Sequence, residues 1–148
     1  MTSIDSMYLA SDTDRFDALV EKIKTLKVGG IIAFGGSERA PSVLLNNTYG
    51  TVTLGQPFAV ASTLNRLQDA SAIPLLNAAD FETGVAMRIA GATGFPRAMA
   101  FGAVADEQLA FEAARITAKE GRALGIHLNF APVADVNNNA RNPVINTR

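Results

Sequence analysis

The sequence has 148 residues, 48% of them apolar and 18% charged, with 12 glycines, 6 prolines and no cysteine. Thirteen basic against 14 acidic side chains leave a formal charge of −1, which excludes the basic field that holds a nucleic-acid backbone. Without cysteine there is no disulfide framework and no thiolate metal site, and no apolar run is long enough to span a membrane.

The N-terminal stretch MTSIDSMYLASDTDR has neither the basic nor the apolar region of a signal peptide, and the compartment is left open. From Ser11 to Lys27 the pattern is that of an amphipathic helix. Ser11 or Asp12 offers the cap, and Phe16, Leu19, Val20, Ile23 and Leu26 make one apolar stripe. Val28-Gly29-Gly30-Ile31-Ile32-Ala33-Phe34-Gly35-Gly36 is a short apolar run between glycine pairs, the pattern of a strand buried on both faces. Ser37 to Gly55 is polar and turn-rich, a loop with room for a short helical piece.

Pro57 to Ala72 reads as a second helix with Phe58, Ala61, Leu64 and Leu67-Gln68 inward, and Pro74 to Asp80 as the next strand, ending in a carboxylate. Gly91 to Gly102 is a Gly/Pro-broken connection that can hold a short strand. Asp106 caps a helix running to Leu124, with Leu109, Ala113, Ile116 and Leu124 on one side and Gly125 at the left-handed stop. Ile126 to Asp135 is a third strand, again closing on Asp, and Asn137 to Arg148 is a polar loop.

Alternating helices and buried strands define parallel β/α units within one domain, 1–148. Either an open doubly wound sheet or part of a (β/α)8 barrel fits that order. A closed barrel takes about 250 residues, so this length supplies only part of one. In both folds the chemistry gathers at the C-terminal strand ends, where Asp80 and Asp135 fall.

Glycine pairs beside a strand raise the question of a phosphate cradle, but no G-x-G-x-x-G opens a helix and no G-K-[S/T] is present. That weakens a flavodoxin-like domain with a phosphate ligand. Tight turns at the strand ends explain the glycines better. Asp135-x-Asn137-x-Asn139 opens like a calcium loop, yet its sixth position is Ala140 and its twelfth Asn146, which rejects an EF-hand. His127 is the only histidine and reads as a core or supporting residue rather than a lone ligand. Asp80-Phe81-Glu82-Thr83-Gly84 is the best chemical candidate, because a strand-end carboxylate can accept hydrogen bonds from a neutral polyol. Arg88, eight residues on, can return to the same mouth. A capping Asp with a solvated Glu fits the same spacing, and Asp135 reads rather as a tie for the Asn-rich loop.

Several segments in series resemble the N-terminal (β/α)8 domain of glycoside hydrolase family 3, nearest to its bacterial β-N-acetylhexosaminidase and β-glucosidase branches. They are Val28-Gly29-Gly30-Ile31-Ile32; Leu67-Gln68 with Ile73-Pro74-Leu75-Leu76 and Ala78-Ala79-Asp80-Phe81-Glu82; and Gly91-Ala92-Thr93-x-Phe95-Pro96 with Ala98-Met99-Ala100. Ala123-Leu124-Gly125-Ile126, Asn129-Phe130-Ala131-Pro132-Val133-x-Asp135-Val136 and Asn142-Pro143-Val144-Ile145-x-x-Arg148 continue the series. The family's D-x-E-G-G reads here as Asp80-Phe81-Glu82-Thr83-Gly84, followed by Val85 where many relatives carry Arg.

The resemblance implies a partial TIM barrel lacking its first strand and its C-terminal half. It also implies a carbohydrate substrate, no metal or organic cofactor, and retaining hydrolysis of a terminal β-linked sugar, N-acetylglucosamine first and glucose second. Asp80, Arg88 and Arg148 would bind the non-reducing sugar, and Asp135 would organise the floor of the site. It speaks against Asp80 and Asp135 as a catalytic pair, and places the nucleophile and the acid/base group beyond Arg148. A non-catalytic sugar-binding or partner-completed fragment is the alternative. An open half-barrel leaves a free strand edge and apolar surface, so self-association is expected.

Overall fold

The computed structural model of the protein describes residues 1–4, 13–34, 57–139, 141, 142 and 145, and the backbone of 37–39 and 51–53. In chain order the elements are β1 (Thr2–Ile4), α1 (Asp14–Leu26), β2 (Gly30–Ala33), β3 (Ser37–Arg39) and β4 (Thr51–Thr53). There follow α2 (Pro57–Ala70), β5 (Leu76–Ala79), a 3-10 turn (Val85–Met87), α3 (Ala98–Val104), α4 (Glu107–Ala123) and β6 (Leu128–Asn129). β1, β2, β5 and β6 lie side by side in that order, every pair parallel. The parallel β/α architecture of a partial barrel is therefore present.

One expectation is overturned at once. The first strand, thought missing, is β1, whose Thr2, Ser3 and Ile4 pair with Ile31, Ile32 and Ala33. Three residues give no readable alternation, and only Ile4 joins the core. The polar stretch after β2 also contains strand: β3 and β4 pair antiparallel, while the helical piece expected there lies outside the described residues, as do Gly35-Gly36, Ser11 and Asp12. The expected strand between Gly91 and Gly102 is instead the start of α3, because Ala98-Met99-Ala100 are strong helix formers. Gly30 is not a turn glycine. A Cβ there would sit 2.2 Å from the Leu76 carbonyl oxygen, so its hydrogen lets β5 approach.

Helix α1 is capped by Thr13, whose hydroxyl accepts from the Phe16 N–H at 3.3 Å. Phe16 and Ile23 are buried from its stripe, while Leu26, in the last turn, is 67% exposed. On α2 the buried residues are Val60, Thr63, Leu64 and Leu67, and Phe58 is 85% exposed. Phe58 lies about 180° round the helix from Leu67, at about 100° per residue, so it cannot share the inner face. On α4 the Asp106 cap and the Gly125 stop stand as expected, but the inner stripe is Ala113, Thr117 and Gly121, with Leu109 half exposed. Small residues bring the helix close to the sheet: a Cβ on Gly121 would stand 3.4 Å from the Phe81 ring.

The core lies on one face of the sheet. Ile31, Ala33 and Ala79 cluster there with Phe16 and Ile23 of α1 and Val60, Leu64 and Leu67 of α2. On the opposite face, in register, Ile32 is half buried and Leu76 and Leu128 are exposed. That face carries no helix among the described residues.

Candidate functional site

The C-terminal ends of β2 and β5 are adjacent, since Ala33 pairs with Ala79. Phe34 therefore stands beside Asp80 at one rim of the sheet. Next in the chain Phe81 plunges into the core and its N–H donates to Asn129 Oδ1 at 3.0 Å, which ties the rim to the end of β6. Gly84 has φ 84°, and a Cβ on it would fall 2.6 Å from the Thr93 carbonyl oxygen. Only glycine suits a left-handed backbone with so close a neighbour. The chain then winds one 3-10 turn, anchored by fully buried Val85 and Ile89, and presents Arg88 back toward β5.

Arg88 Nη2 donates to Asp80 Oδ2 at 2.9 Å and its Nε donates to the Asp80 carbonyl oxygen at 3.2 Å. The two side chains keep 23% and 22% exposure, so the pair is shielded but reachable. The guanidinium carbon lies 5.7 Å from the centre of the Phe34 ring, within cation–π range. Asp80 Oδ1 is buried and has no hydrogen-bond partner among the described residues. The mouth thus presents a guanidinium, an aromatic ring and a partly exposed carboxylate whose other oxygen is turned inward.

Asp135 does not join this pair. It is exposed and lines an adjoining cavity of about 690 Å³ with Glu82, Thr83, Arg97, Asn137 and Ile145. Glu82 follows Phe81, so that cavity opens beside the Asp80 rim. Among the described residues Asp135 is no tie for the loop after it. Asn139 Oδ1 accepts from the Arg141 N–H and Asn142 Oδ1 from the Ile145 N–H. Arg148 lies outside the described residues.

His127 is exposed rather than in the core. Its N–H donates to the Asn77 carbonyl at 2.8 Å, and its Nδ1 accepts from the Asn77 N–H at 3.1 Å. It extends the β5–β6 pairing by one side-chain bond. Phe34, Arg97 and Asn129 were not read as site residues from the sequence. Phe34 had one signal, as the aromatic that ends the Val28 to Ala33 run. Among the described residues no group of three His, Asp or Glu could hold a metal ion.

These features define a parallel β/α protein of barrel type whose polar site lies at the C-terminal strand ends, the place where such folds keep their chemistry. The family follows from comparison: the chain belongs to the family described as glycosyl hydrolase family 3 N-terminal domain, whose model matches residues 6–148. Among its relatives is a beta-N-acetylglucosaminidase/beta-glucosidase of Cellulomonas fimi, 39% identical over 88 residues, which are 60% of this chain and 16% of that protein. A beta-hexosaminidase A of Pseudoalteromonas piscicida is 36% identical over 135 residues, 88% of this chain and 21% of that protein. A solved structure, the beta-N-acetylhexosaminidase of Beutenbergia cavernae, superposes with a TM-score of 0.69 at 26% identity over 99% of this chain and 40% of its own. The chain therefore spans well under half the length of these relatives.

Proposed function

We propose that this chain is the sugar-binding part of a retaining glycoside hydrolase that removes terminal β-linked residues, N-acetylglucosamine before glucose. The observation that carries the reading is the Asp80–Arg88 pair at the end of β5, whose side chains keep 22% and 23% exposure. A partly exposed carboxylate and guanidinium offer sugar hydroxyls both an acceptor and donors. Arg88 holds the carboxylate oriented through its hydrogen bonds, and the guanidinium fork suits vicinal hydroxyls. Phe34 offers an apolar ring to the C–H face of a pyranose. Asp135 shapes the floor from the adjoining cavity, and Arg148 is assigned to the same sugar by its motif.

In a retaining reaction a carboxylate attacks the anomeric carbon while an acid protonates the leaving oxygen, and water then resolves the covalent intermediate with help from the same acid/base group. No metal or organic cofactor takes part. Asp80 is placed outside those two roles because its carboxylate is engaged by Arg88. The relatives' names favour N-acetylglucosaminides and glucosides as substrates.

Two measurements test this. Titrating the chain with N-acetylglucosamine or glucose should shift the amide resonances of Phe34, Asp80 and Arg88, with R88A weakening binding about tenfold for the loss of charge-assisted bonds. Saturable shifts elsewhere, with these three silent, would sink the site assignment. In the full-length protein, the first product released from a β-N-acetylglucosaminide should be the β-anomer, and an α-anomer would reject retention.

A further inference from the structure

Arg88 reaches Asp80 from a loop, Phe81 to Phe95, that is folded back on itself, and two further bonds tie this loop to a helix outside it. Glu120, half-buried near the end of α4, directs both carboxylate oxygens at one residue. Oε2 accepts from the Thr93 N–H at 3.0 Å and Oε1 accepts from the Thr93 hydroxyl at 2.5 Å. Neither oxygen has a cation partner among the described residues. The two carboxylate oxygens thus clamp one threonine at two points.

Thr93 passes the constraint inward. Its carbonyl accepts from the Ala86 N–H at 3.2 Å, inside the 3-10 turn that ends at Arg88, and the Phe95 N–H donates to the Thr83 carbonyl at 2.8 Å, closing the base of the loop. The same Thr93 carbonyl stands against Gly84. From helix to site the order is Glu120, Thr93, Ala86, Arg88, Asp80. Buried Val85 and Ile89 anchor the turn, and the bond from the Ala86 N–H to Thr93 adds a directional tie to the clamped residue.

We propose that Glu120 is a positioning residue for the sugar site: it sets the orientation of Arg88 through Thr93 and so governs sugar affinity without touching the sugar. The effect on sugar affinity rests on the function proposed above; the orientation of Arg88 does not.

The test reads both separately. Hydrogen exchange at the Arg88 Nε–H, followed by NMR, reports its bond to Asp80, and the Arg66 Nε–H on α2, beside Phe16, serves as the remote control. In E120A, Arg88 exchange should accelerate about tenfold with Arg66 unchanged, the scale of losing charge-assisted hydrogen bonds. E120Q should stay within about twofold of wild type, because the amide keeps one acceptor and the Thr93 hydroxyl can turn to accept from the other end. T93V, which removes only the hydroxyl, should fall between them and provides the readout if E120A does not fold. Unchanged Arg88 exchange in the folded variant, or equal acceleration at Arg66, overturns the proposal. N-acetylglucosamine affinity should follow the same series. If the wild-type chain binds no sugar, the functional reading fails while the exchange series still decides whether Glu120 positions Arg88.

Discussion

The two faces of the parallel sheet are built from the same strands and have opposite fates. On one, Ile31, Ala33 and Ala79 are wholly buried under α1 and α2. On the other, Leu76 and Leu128 are 46% and 37% exposed, with Phe130 at 48% just past β6. Apolar side chains of these strands fall on both faces, with Asn77 and Asn129 the polar members of the covered one, so the difference is chiefly one of cover. Helices cover the first face from within these 148 residues. The second asks for partners that the described residues do not supply. The polar site sits where the strands end, held in register by the covered face, and its own loop is pinned by α4 from behind. Stability and recognition are thus divided between face and rim.

The largest effect should come from the covered face. Replacing Leu67 by Ala, at a position with no exposure, should destabilise the chain by about 2–5 kcal/mol through lost burial and the cavity left behind. Leu76→Ala, the same chemical change on the open face, should cost no more than about 0.5 kcal/mol. Urea denaturation of both variants measures the contrast. Equal losses would mean that the open face is covered in solution and that the comparison is wrong.

A smaller effect sharpens the same point. Exposed apolar surface beside a free strand edge favours association, so the chain should sediment as larger species with rising concentration. The double variant Leu76→Thr/Leu128→Thr should weaken that association by about tenfold, in keeping with the apolar area removed. An unaltered concentration dependence would assign the contact to another surface.

What could be read from the residues was what repeats or has local chemistry. The β/α alternation, the Asp106 cap and the Gly125 stop depend on neighbours a few positions apart, and all are present. Arg88 beside Asp80 was also within reach, because eight residues are enough for one turn back to a strand end. Where the reading failed, the determinant was distant or too short. β1 is defined by its pairing with β2 across the whole of α1. The inner face of α2 depends on which side the sheet approaches, which left Phe58 on the wrong one. His127 meets Asn77 from 50 positions away, and Glu120 meets Thr93 from 27. No periodicity encodes such a pair; only the packed fold brings its members together.

The smallest effect belongs to neither face of the sheet but to the solvent side of α4, and it marks the background against which the others are judged. Arg115 lies beside Glu112 with its Nη2 2.6 Å from the carboxylate, and the Gln108 amide also donates to it. The hydrogen bond from Arg115 holds the Glu112 carboxyl below the ordinary glutamate range. A group whose pKa is lowered on folding adds stability above its unfolded pKa and loses it as pH falls through the folded one. Wild type should therefore be slightly more stable than E112Q at neutral pH, with the gap closing in acid. Both partners are solvated and the pair is one helical turn apart, so the gap should be small and should shrink further in salt. Thermal midpoints of the two proteins, taken from neutral pH down into acid at low and high salt, measure it. A gap that widens in acid would reverse the sign, and one as large as that from Leu67→Ala would mean that this exposed helix face carries stability assigned above to the covered sheet.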